Sequence, residues 1–118
     1  MVSPTIIAHR VNNPEKVKAL SSLGITVETD VSRGFFRDFV MQHYGYVGII
    51  GLGSKIEALN GYKGRIILDL KHPKLSRNYP ENLAKKLNTL GLTGISICGP
   101  NHKTVSKVCE LTGSEAIY

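Results

Sequence analysis

The hydrophobic positions of this chain fall into short β-branched runs separated by stretches of helical spacing. "TIIAHR" (5–10) is a brief apolar run ending in polar residues. Behind it, "NPEKVKALSSLG" (13–24) sets Val17, Leu20 and Leu23 at helical intervals before a stop at Gly24. "TVETDV" (26–31) and "FVMQH" (39–43) are strands joined by the basic turn "SRGFFRD", and "YGYVGIIGLGS" (44–54) is a glycine-punctuated loop. "SKIEALNG" (54–61) predicts a brief helix and "GRIILDLK" (64–71) the most strand-like segment of the chain. "YPENLAKKLNTLG" (79–91) is a helix with Pro80 near its start and Leu83, Leu87 and Leu90 on one face. "GISICG" (94–99) is a strand, "NHKTVSKVCELTG" (101–113) a helix with Asn101 as candidate N-cap, and "SEAIY" opens one more strand.

Repeated β–α units with nearly continuous apolar strands predict an α/β domain, a parallel sheet covered by helices. The 118 residues suffice for one domain, 1–118, with its own core. No apolar run approaches the ~20 residues of a membrane span, and the first residues lack a secretory leader's basic and apolar regions. Cys98 and Cys109 form neither a metal-ligand spacing nor a disulfide framework, so a reducing, cytoplasmic setting is expected. The net charge of +6 favours anionic partners, but the basic residues are scattered, as on a solvated surface rather than a nucleic-acid face. "GIIGLGSK" (48–55) lacks the order of a P-loop and reads as a loop.

The candidate chemistry collects at strand ends, where parallel α/β folds hold their sites. His9 and Arg10 end the first strand, Glu28 and Asp30 the second, His43 the third, and Asp69 and Lys71 close "RIILDLK". Glu28 and Asp30 are two apart and so share one face of an extended strand. A solvated face and an Asp69–Lys71 ion pair are the plain readings of these residues taken singly. Together they suit a site. Three carboxylates repel one another unless a cation neutralises them, and hard oxygen donors favour Mg²⁺ or Ca²⁺. Two histidines suit general acid and base work near neutrality, and Arg10 with Lys71 suits an anion. Such a set fits phosphoryl transfer to an alcohol or water.

"IIAHRVNNPE", "VETDV", "FVMQH" and "IILDLK", in that order, resemble the glycerophosphodiester phosphodiesterases. Their motifs run His-Arg-Gly with Pro-Glu-Asn, Glu-x-Asp-Val, a strand ending His-Asp, and Leu-Glu-x-Lys. The resemblance covers the chain through residue 71. It implies a TIM-barrel fold and a divalent cation held by Glu28, Asp30 and Asp69. It makes His9 and His43 the acid/base pair and gives the phosphate to Arg10, with Lys71 matching the family lysine. The implied reaction hydrolyses a small glycerophosphodiester to an alcohol and glycerol phosphate, commonly with a substrate hydroxyl as first nucleophile. Val11, Lys16 and Tyr44 stand where the family has glycine, asparagine and aspartate, and Asp69 is one methylene shorter than the usual glutamate.

A full eight-stranded barrel takes about 200 residues or more, so this chain is expected to form a partial barrel. Its open edges and apolar interior would invite a second copy to complete the sheet. A shortened barrel is a further reading of the same length. The runner-up function is a catalytically impaired protein on the same scaffold that binds an anion or a partner.

Overall fold

Capping chemistry sets the helix ends. In the computed structural model, which describes residues 6–33, 39–41, 54–71 and 78–117, α1 spans Pro14–Ser22, α2 Tyr79–Thr89 and α3 His102–Thr112. The Asn13 side chain accepts from the amides of Glu15 at 2.8 Å and Lys16 at 3.3 Å, while Pro14 has no amide hydrogen to satisfy. Asn101 caps α3 as expected, through the Thr104 amide at 3.1 Å. Gly113 closes that helix at φ +66°, a left-handed turn that carries no penalty without a Cβ.

Among the described residues, seven strands form one sheet: β1 Ile7–Ala8, β2 Thr26–Arg33, β3 Phe39–Met41, β4 Ser54–Lys55, β5 Ile66–Leu70, β6 Ser96–Cys98 and β7 Glu115–Ala116. β1, β2, β5, β6 and β7 are parallel and lie side by side in chain order. The fold is therefore α/β, with a mostly parallel sheet and three helices among the described residues. α1, α2 and α3 are the crossovers from β1 to β2, β5 to β6 and β6 to β7.

Between β2 and β5 the expected β–α repeat fails. β3 runs antiparallel to β2, with Val31 opposite Met41 and Arg33 opposite Phe39, and β4 is antiparallel to β3. Residues 34–38 are too few for a parallel crossover, which needs about a dozen residues. Where a brief helix was predicted from Ser54 to Gly61, the chain pairs Ser54–Lys55 with β3 and then makes a single 3-10 turn over Ile56–Leu59.

Strand alternation splits the sheet into two unlike faces. Val27, Val31, Ile66, Leu68, Leu70 and Ile97 join one core with Val17 of α1, Leu83 and Leu87 of α2, and Val105 and Val108 of α3. The intervening positions turn away from those helices: Glu28, Asp30, Asp69, Ser96 and Cys98, with Ile67 and Val40 as buried apolar exceptions outside that core. The apolar interior expected of a partial barrel is thus mostly polar among the described residues. "VETD" and "ILDL" have period two and are not continuously apolar, so one face of each strand carries the polar set. No helix among the described residues is long and apolar enough to cross a membrane.

Candidate active site

The polar face is densest at the carboxyl ends of β2 and β5. Parallel pairing sets Asp30 directly opposite Asp69, and Glu28 lies two residues back on the same face of β2. Each of the three offers a carboxylate oxygen, and these oxygens all lie within 4.8 Å of one another. Burial grades the trio: side-chain exposure is 22% for Glu28, 19% for Asp69 and 2% for Asp30.

Lys71, one residue past β5, turns its ammonium into this cluster. Nζ stands 2.8 Å from Asp69 Oδ2 and 3.8 Å from Asp30 Oδ1. Burial by itself would lower the lysine pKa, but the hydrogen bond and charge of Asp69, with Asp30 behind, outweigh it and hold the pKa above the ordinary value. Three carboxylates against one ammonium leave a deficit of positive charge that a divalent cation would meet. The donors are hard oxygens within a few ångströms of each other, the chemistry that suits Mg²⁺ or Ca²⁺. The residues present fit such an ion.

His9 follows β1 and reaches the same cluster, its Nδ1 3.2 Å from Glu28 Oε2, with the ring 68% exposed. Arg10 is exposed beside it and adopts φ +52°, the left-handed region that L-residues enter under strain. Val11, where the resembled family has glycine, is 3% exposed and packs into the helix-side core, so its branched side chain points away from the carboxylates. The unusual backbone angle falls on Arg10 instead. The structure therefore gathers His9, Glu28, Asp30, Asp69 and Lys71, and Arg10 is the exposed residue that follows His9 in the chain. His43 lies outside the described residues.

Two residues of the site carry no signal in the motifs. Asn12 exchanges two hydrogen bonds with Asp30: its Nδ2 donates to Asp30 Oδ2 and its Oδ1 accepts from the Asp30 amide, both at 3.0 Å. Asparagine just before a helix reads as a cap, and Asn13 takes that role. Cys98 ends β6 directly opposite Asp69. Burial first, then the charges of Asp69 and Glu28, push its thiol up to about 11, so it stays protonated at neutral pH. The strand-end rule that marked Asp69 would have marked Cys98 too. Its cysteine chemistry drew attention to pairing instead, and both cysteines are free thiols. Comparison of the chain with protein-family models and with curated proteins finds no significant match.

Proposed function

We propose that this chain is a domain of a divalent-cation-dependent phosphodiesterase, of (β/α)-barrel type, acting on small glycerophosphodiester-like substrates. The observation that carries the proposal is the clustering of Glu28, Asp30 and Asp69 within 4.8 Å, with His9 hydrogen-bonded to the first of them. Strand order supports the fold: the parallel strands advance in chain order without reversal, as in a barrel wall and unlike a doubly wound sheet.

In this reading the three carboxylates hold Mg²⁺ or Ca²⁺, which when bound supplies positive charge to the phosphoryl oxygens in the transition state. Arg10 binds a non-bridging phosphate oxygen pair in bidentate fashion. With His9 Nδ1–H donating to Glu28, Nε2 keeps its lone pair and takes the proton of the attacking hydroxyl. The second histidine, assigned by resemblance as His43, gives a proton to the leaving alkoxide as its bond to phosphorus breaks. Lys71 offsets the carboxylate charge when the ion is away.

The proposed setting is cytoplasmic, and the proposed partner is a second copy that completes the sheet beyond its terminal strands. One observation favours the binding-protein alternative: Lys71 already neutralises part of the carboxylate cluster from within. The deciding experiment is hydrolysis of glycerophosphocholine with Mg²⁺, Ca²⁺ or chelator. Turnover that requires the ion and disappears in His9→Ala supports the enzyme. A well-folded sample inactive with either ion supports the binder.

A further inference from the structure

β2 continues to find partners beyond the end of β1. The Val11 amide donates to the Glu28 carbonyl at 2.9 Å, and Thr29 Oγ1 donates to the Val11 carbonyl at 3.0 Å. One residue further on, a side chain replaces the backbone: the Asp30 amide donates to Asn12 Oδ1, and Asn12 Nδ2 donates back to Asp30 Oδ2. A carboxamide carries a carbonyl and an amino group in one rigid plane, so it can serve both ends of the same residue. Asp30 is 1% exposed, and a carboxylate that deep must be held by protein donors rather than by bulk water. With Oδ2 engaged by Asn12, Oδ1 is the oxygen 3.8 Å from Lys71 Nζ, inside the cluster.

We infer that Asn12 is a positioning residue, whose side-chain amide locks the orientation of Asp30 and so presents one of its oxygens to a divalent cation. The inference rests on the cation reading proposed above. Asn12 itself does not touch the ion or the substrate. Removing such an outer partner typically weakens metal affinity by about 10–100-fold. The neighbouring Asn13 serves as reference, because it stabilises the same loop through the α1 cap and does not hydrogen-bond to Asp30.

The test is calorimetric titration of the whole chain with Mn²⁺ alone, alongside thermal melting, for wild type, Asn12→Ala, Asn12→Ser and Asn13→Ala. Serine is small, tolerated in turns and too short to serve both ends of Asp30, so it carries the test should the alanine variant fail to fold. The expected result is Mn²⁺ affinity about 10–100-fold weaker in the Asn12 variants, with Asn13→Ala melting lower yet binding Mn²⁺ like wild type. Asn12 variants that melt lower but bind Mn²⁺ as wild type does would overturn the inference alone. A wild-type chain that takes up no Mn²⁺ would overturn the cation reading and this inference with it.

Discussion

The two faces of the sheet are built from the same strands and obey opposite rules. On the helix side, Val27, Val31, Leu68 and Ile97 are each 0% exposed and touch apolar neighbours. One residue along, Glu28, Asp30, Asp69 and Cys98 meet charge and hydrogen bonds. Burial alone does not separate the two sets: Glu28, Asp69 and Cys98 are only half-buried, but Asp30 is as deep as its apolar neighbours. What separates them is the partner each side chain finds. A buried valine needs close packing; a buried carboxylate needs donors or cations. Period-two alternation thus lets one strand bear the fold and the candidate chemistry with little overlap.

The strongest way to break this comparison is to exchange effects between the faces. Leu68→Ala should cost about 2–5 kcal/mol of stability through lost transfer energy and a cavity, with divalent affinity per folded molecule unchanged. Its mirror, Glu28→Gln with Asp30→Asn, should abolish divalent binding while the melting temperature stays nearer to wild type. Denaturant melts and calorimetry on both proteins check this, and a Leu68→Ala protein with weakened ion binding would show that the faces are coupled.

A smaller effect is expected at Lys71. Breaking a buried ion pair by removing one partner costs about 3–5 kcal/mol. Lys71 and Asp69 keep 21% and 19% of their side-chain exposure, so solvent recovers part of that. Lys71→Met should therefore lose about 1–3 kcal/mol, and saturating Mg²⁺ should restore more melting temperature to the variant than it adds to wild type. Equal Mg²⁺ shifts in the two proteins would mean that the ammonium and the ion do not share the cluster.

The smallest effect is a titration. The Cys98 thiol is raised from 9.0 to about 11 in the folded chain, so between those values the unfolded chain has lost a proton that the folded chain keeps. Stability from this group is complete below pH 9.0 and falls as pH rises toward about 11. Lys71, also raised, loses its contribution in the alkaline range as well. Thiolate absorbance should place the Cys98 transition near 11, and Cys98→Ser should flatten that part of the stability profile. Absorbance from Cys98 already rising at pH 8 would contradict the burial of that thiol and the negative charges of Asp69 and Glu28 around it.

Much of this architecture was legible in residue patterns because local rules governed it. The stretches around Val17, Leu83 and Val105 read as helices, and each proved to bury those residues. Glu28 and Asp30 share a face by simple counting, and an Asp69–Lys71 ion pair follows from spacing on one strand. Strand direction was not legible in that way. "FVMQH" announces a strand but not its sense, which follows from chain length rather than from any residue pattern, the connection from Arg33 to Phe39 being too short for a parallel crossover. Nor could alternation reveal that a side-chain amide at Asn12 would substitute for backbone in the ladder, since that depends on where the β1–α1 turn lands in space.

One consequence of that turn concerns evolution in the laboratory. Arg10 is the one residue other than glycine with positive φ among those described. Left-handed geometry costs an L-residue roughly 1–2 kcal/mol, and glycine escapes most of it. Selection for heat resistance alone would therefore reward glycine at position 10 and discard the guanidinium that the proposed reading gives to phosphate. Durability and ligand capture pull this single position in opposite directions, so a screen for hardier variants would need a binding step to keep the arginine.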